Sequence, residues 1–277
     1  MNNSLYLYRN QAHAACGVVS LLIGFSVFSA NAATIVVPTP EAATLTAAML
    51  NAKSGDTVLA ENGVYSERLL IKPGVTLMAR SPCMAAIEGN GKGCLVIMGG
   101  GATICGFELR NATIGIRSNT ADNAILECRI TAMTESGISC AGQLPKIENN
   151  IIVYNKGSGI QGWDTRCTFS SLNHNTIAYN TNNGIAVGGH STVIMENNIV
   201  AFNGRFGVKI DEDKVSIQML KNIFFENTSM SYIKLDDNFT GNPLFVDPKA
   251  MNFQLQATSQ CKQKGSDNKD IGALTDF

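Results

Sequence analysis

The chain has 277 residues, 45% hydrophobic and 16% charged, with a formal net charge of −1. That balance lacks the basic excess of a nucleic-acid-binding protein. The length suits one elongated domain once an N-terminal leader is set aside.

Residues 1–32 read as a secretory signal. Arg9 precedes the apolar run Val18-Val19-Ser20-Leu21-Leu22-Ile23-Gly24-Phe25, and Ala30-Asn31-Ala32 supplies a small-residue cleavage site that leaves Ala33 as the new terminus. The run is short and interrupted by Ser and Gly, so cleavage is favoured over an uncleaved membrane anchor. The expected product, residues 33–277, is exported (secreted or periplasmic), and no later segment is apolar enough to span a bilayer. Loss of Arg9 leaves 20 basic residues against 22 acidic ones. Loss of Cys16 leaves seven cysteines: Cys83, Cys94, Cys105, Cys128, Cys140, Cys167 and Cys261. An odd number leaves at least one thiol unpaired even in an oxidising compartment, and no spacing matches a C-x-x-C metal pattern. Scattered thiols in the core are the favoured reading, with Cys140 pointing inward like Ile138. One or two disulfides are the alternative.

The stretch Glu41–Ala52 is rich in helix formers and sets Leu45, Met49 and Ala52 on one face, which predicts a short helix capping the N-terminal end of the domain. Next come Gly55-Asp56-Thr57-Val58-Leu59, Gly63-Val64-Tyr65 and Gly74-Val75-Thr76-Leu77, short β-branched runs bounded by turn residues.

Four units then repeat, beginning at Ile147, Leu172, Met195 and Met219; the first is Ile147-Glu148-Asn149-Asn150-Ile151-Ile152-Val153-Tyr154-Asn155. Their aligned asparagines Asn150, Asn175, Asn198 and Asn222 step by 25, 23 and 24 residues, as do Asn155, Asn180, Asn203 and Asn227. A second signal, Gly115-Ile116, Gly137-Ile138, Gly159-Ile160, Gly184-Ile185 and Gly207-Val208, extends the period upstream with steps of 22, 22, 25 and 23. A fixed period of this size marks a solenoid. No run carries apolar residues at helical spacing over three turns, so the units are strands. The glycines suit corners with positive φ, and stacked asparagines suit amide ladders along the axis. The architecture expected is all-β: a right-handed, single-stranded parallel β-helix of about eight coils. Its coils run from about 64 to 240, and a C-terminal segment, 241–277, closes the other end.

These repeats resemble those of the pectin-lyase-like superfamily. The first-coil motifs, Asn242-Pro243-Leu244-Phe245-Val246-Asp247-Pro248 and Asp270-Ile271-Gly272-Ala273 are similar to its opening and closing segments. The resemblance covers nearly all of the chain after the leader and speaks for architecture far more than for chemistry, because such folds host many activities. It implies a carbohydrate-interacting protein, monomeric, with a polysaccharide or cell-envelope glycan as partner. Calcium-dependent members suggest a polysaccharide lyase on acidic glycans, with a carboxylate cluster for calcium and a Lys or Arg as base.

Two neighbouring coils repeat Lys-apolar-Asp-acid: Lys209 with Asp211 and Glu212, then Lys234 with Asp236 and Asp237. Alternation places Val208 and Ile210 inside and Lys209 and Asp211 outside. Strand spacing of about 4.8 Å makes Asp211 and Asp236 neighbours. Lys209 is the candidate base; Asp211, Glu212, Asp236 and Asp237 are the candidate calcium ligands. Trp163, the only tryptophan, lies beside Asp164 and Arg166 at an expected coil corner. With Lys234 they form the candidate sugar-binding set. The competing readings are a stacked Lys/Asp surface ladder, a packed tryptophan, and a non-catalytic rod. His174 and His190 join no triad and read as satisfied surface residues. The short period leaves no room for long insertions in the repeats, so the face is expected to be shallow.

Overall fold

The structure, a computed structural model, describes residues 32–165, 170–189, 192–210, 216–229 and 237–274; the side chains of 163–165 and 170 lie outside the description. The signal-peptide expectation therefore falls outside it, apart from Ala32.

Coils contribute short strands to three parallel sheets. Among the described residues, sheet A has nine strands, from Thr34–Val37 through Thr57–Ala60 to Ser216–Leu220, sheet B nine, from Gly63–Tyr65 to Phe239–Thr240, and sheet C seven, from Leu69–Ile71 to Val208–Ile210. The interior is filled by columns of like residues in register. Leu77, Ile104, Ile125, Ile147, Leu172 and Met195 stack in sheet A. Leu109, Ile130, Ile152, Ile177, Val200 and Phe224 stack in sheet B. Val96, Ile116, Ile138, Ile160, Ile185 and Val208 stack in sheet C. All are buried, each worth roughly 1.5–3 kcal/mol relative to exposure.

Both asparagine ladders form. Asn150 donates to Asn175 (3.0 Å), Asn175 to Asn198 (3.0 Å) and Asn198 to Asn222 (2.8 Å). A further rung, Asn222 to Asn238 at 2.9 Å, extends this ladder beyond the four repeats. The second ladder links Asn155, Asn180, Asn203 and Asn227.

The glycine corners correct an expectation. None of Gly115, Gly137, Gly159, Gly184 and Gly207 has positive φ. Glycine stands there because coils approach too closely for a side chain: a Cβ on Gly159 would lie 2.7 Å from the Gly184 carbonyl oxygen and 2.7 Å from Ile177 Cγ2. The left-handed positions belong instead to the residue before each ladder asparagine. Asn149, His174, Asn197 and Lys221 hold them at the A–B corner, and Tyr154, Tyr179, Phe202 and Glu226 at the B–C corner.

Helix α1 (Leu45–Asn51) buries Leu45, Ala48 and Met49 and packs against Thr34–Val37, Thr57–Ala60 and Leu69–Ile71. Its first turn is tied to the Glu67 carboxylate, which accepts from the Leu45 and Thr46 amides.

The outer face of sheet B changes character along the axis. In the coils of Ala85–Glu88, Phe107–Arg110 and Arg129–Thr131 it carries Glu88, Glu108, Arg110 and Arg129, which form ion pairs. From Ile151 onward it carries Ile151, Val153, Ala178, Ile199, Ala201 and Ile223, and residues 243–274 fold back over this stripe with Phe245, Phe253, Cys261 and Ile271. Tyr154, Tyr179 and Phe202 stack at 5.2 and 4.8 Å, and Phe253 tilts against the first two. The segment expected to close the far end thus lies along the flank as a strap, because that is where the uncovered apolar stripe lies.

Candidate functional site

Outward-facing positions of sheet C form one row. Register aligns Leu70, Ile97, Arg117, Ser139, Gln161, Ala186 and Lys209, one per coil. Leu70 and Ile97 are exposed hydrophobics; Arg117 is exposed, and Ser139 and Lys209 are half-buried. The middle of the row floors a groove of about 710 Å³. Arg117, Ser139 and Gln161 rise from the sheet, and Glu135, Ser158 and Asn182 line it from the B–C connections. Gln161 is held by the Ser158 hydroxyl, which donates to its Oε1 at 3.2 Å, and Asn183 Nδ2 donates to the same hydroxyl at 3.3 Å. Asn182 Oδ1 is buried and finds no hydrogen-bond partner among the described residues. The lining is rich in hydroxyls and amides, with one cationic and one anionic side chain.

Of the residues singled out in the sequence, Lys209 faces outward as expected, while Val208 is buried and Ile210 packs on the core. The backbones of Trp163 and Asp164 lie inside the strand Ile160–Thr165 rather than at a corner, and Trp163 pairs in register with Ala141. Trp163 therefore belongs to a strand that carries the groove, whereas Lys209 lies on a strand of the same sheet beyond it. Lys209 sits two rungs from Gln161, roughly 10 Å away at ordinary strand spacing. Asp237 is exposed, and its carbonyl accepts from the Lys221 amide at 2.7 Å. Arg166, Asp211, Glu212, Lys234 and Asp236 lie outside the described residues. Among the described residues no three His, Cys, Asp or Glu side chains gather in a way that could hold a metal ion.

Arg117, Ser139 and Gln161 were missed, although their signal is simple: each directly follows an apolar residue of the Gly-Ile series, as Lys209 follows Val208. Comparing the corners from Gly115 onward exposes the row. Asn182 has no such signal, since its burial depends on how the coils stack.

A family described as the right-handed β-helix region matches residues 114–254, about half of the chain. The chain belongs to the right-handed β-helix family. No curated protein matches it in sequence. Among solved structures, pectate lyase Pel9A superposes with a TM-score of 0.54 at 11% identity, covering 90% of this chain and 97% of the other. A mannuronic-acid-specific polysaccharide family 6 lyase from human gut microbiota gives a TM-score of 0.46 at 15% identity, covering 70% and 53%. At such identities the likeness to Pel9A is one of fold. Among the described residues no helix is long and apolar enough to cross a membrane.

Two further sets of side chains bear on chemistry. Cys83, Cys94, Cys105, Cys128 and Cys261 are free thiols. Burial pushes Cys83 up to about 12 and Cys105 and Cys261 up to about 11, so these three are protonated and unreactive near neutral pH. His174 is buried, not a surface residue, and is hydrogen-bonded by the strap: Nε2 lies 3.2 Å from Asp267 Oδ2 and Nδ1 3.2 Å from the Gly272 carbonyl.

Proposed function

We propose that this is an exported glycan-binding protein that lays an extended polysaccharide along sheet C. The observation that carries the reading is the groove lined by Ser139, Ser158, Gln161 and Asn182 with Arg117 at its edge. Sugar hydroxyls both donate and accept, and hydroxyl and amide side chains answer both roles. Arg117 favours a polymer bearing carboxylates, because guanidinium pairs with them bidentately. The lyase-like fold and the polysaccharide-acting relatives of that fold support the class of ligand.

An extension of this reading makes the protein a lyase of acidic glycans. Lys209 takes the C5 proton of a uronate, Trp163, Asp164, Arg166 and Lys234 hold the sugar, and calcium is bound by Asp211, Glu212, Asp236 and Asp237. Only Asp237 of those carboxylates is among the described residues, so no step is assigned to the ion. The second reading, a binder without turnover, is favoured by the position of the groove, two rungs away from Lys209.

The test is affinity electrophoresis of the purified protein in gels containing uronate or neutral polysaccharides. Retardation by a uronate polymer, weakened about tenfold by Arg117→Ala, is expected from the loss of one charge-assisted contact. A folded protein that no polymer retards ends the glycan reading. Ultraviolet absorbance of the unsaturated product, with calcium and with chelator, decides the extension. A calcium-dependent rise abolished by Lys209→Ala identifies a lyase, and binding without any rise leaves a binder.

A further inference from the structure

The A–B corner carries a row of left-handed residues, and three of them, Asn149, His174 and Asn197, are hydrogen-bonded by the strap. Asn149 Oδ1 accepts from the Leu274 amide at 2.6 Å, and Asn197 Oδ1 accepts from the Ser266 amide at 2.8 Å. Between them stands His174, and its two contacts differ from the others. A backbone carbonyl only accepts hydrogen bonds, and so does an ionised carboxylate. Both ring nitrogens of His174 face such groups at once. A neutral imidazole carries one N–H, so it leaves a lone pair against either Gly272 or Asp267. Only the imidazolium satisfies both.

We propose that His174 and Asp267 form a pH-sensitive clasp, in which docking of the C-terminal strap takes up a proton on His174. The charges around the ring fit a cation. Asp267 comes from the strap, Glu127 and Glu148 line the same pocket from the two preceding coils, and Glu196 flanks it from the next. Lys269 pairs with Asp267 at 3.3 Å, and Lys221 stands further along the corner row. The direction follows. A bond that only the doubly protonated ring can make to both acceptors is strongest where the ring is charged and weakens as pH rises. It weakens again in strong acid, where Asp267 takes a proton.

Ring-nitrogen NMR of the purified protein tests this directly, since the sequence has three histidines and His174→Gln identifies the signal. At pH 6 both ring nitrogens of His174 are expected to be protonated. The Gly272 and Ala273 amides, bonded to Asn197 O and Thr176 Oγ1, are expected to lose about tenfold in exchange protection from pH 6 to pH 8 after correction for intrinsic exchange. That is the weight of one charge-assisted hydrogen bond. Asp267→Asn, at an exposed site, is expected to abolish the difference without unfolding the coils. A neutral His174 tautomer at pH 6, or protection that does not change with pH, overturns the proposal.

Discussion

Two residue types, asparagine and glycine, keep the coils in step, and they do it by different physics. Ladder asparagines satisfy backbone groups of the preceding coil and donate to the asparagine side chain of the next. Asn175, for example, accepts from the Asn150 amide and donates to the Ile147 carbonyl. Each glycine of the Gly-Ile series makes room. The distinction has a measurable consequence. Gly159→Ala should cost about 2–3 kcal/mol, because backbone and a branched side chain must both move aside. Gly142→Ala should cost about 1–2 kcal/mol, because its φ of 91° strains a side chain while the nearest atom, Asn119 O, is 3.7 Å away. Urea denaturation of the two variants checks the order. The period of these glycines was legible in the sequence. Their reason was not, because a repeat marks a constrained position without saying whether a dihedral or a neighbour constrains it.

Helix and strap, the elements outside the coils, are tied down by long-range polar contacts. The first strand of sheet A is anchored through Asp56, which accepts from the Ala33 and Lys53 amides at 2.8 Å each. Those backbone hydrogen bonds, first from Ala33 and then from Lys53, hold its carboxyl below the usual aspartate value. A depressed carboxylate contributes stability that is present above the unfolded pKa and lost as pH falls through the folded one. The expected outcome is selective loosening of Thr34–Val37 below about pH 4. Hydrogen exchange of the Thr57 amide, which donates to the Ala33 carbonyl, checks it, and Asp56→Asn should remove the pH step. The helix was legible in the sequence from Leu45, Met49 and Ala52, since one face of a helix is a local pattern. The path of the strap was not, because its partners Tyr154, Tyr179, His174 and Asn197 lie tens of residues away in the chain.

At the scale of the whole molecule, a solenoid is stabilised by nearest-neighbour contacts between coils. The strap adds a second kind of bond that runs along the axis and spans the coils from Asn149 to Phe225. Coils beyond its reach and away from helix α1 rely on their neighbours alone. Amides of the strands from Cys94–Met98 to Ile114–Ser118 should therefore exchange through sub-global opening at lower free energy than those from Ile151–Val153 to Ile199–Ala201. Native-state exchange in low denaturant measures this, and equal opening energies would mean that the strap adds no stability.

The sequence by itself determined the repeat, the parallel strands, both asparagine ladders and the outward direction of Lys209. All of these follow from periodicity, which survives in the linear chain because every coil solves the same packing problem. Only the tertiary structure decided that Arg117, Ser139, Gln161 and Asn182 enclose one groove, that Trp163 belongs to a strand, and that His174 is buried under Asp267 and Gly272. Those features arise where unlike segments meet, and the distances involved are set by stacking and by the path of the strap.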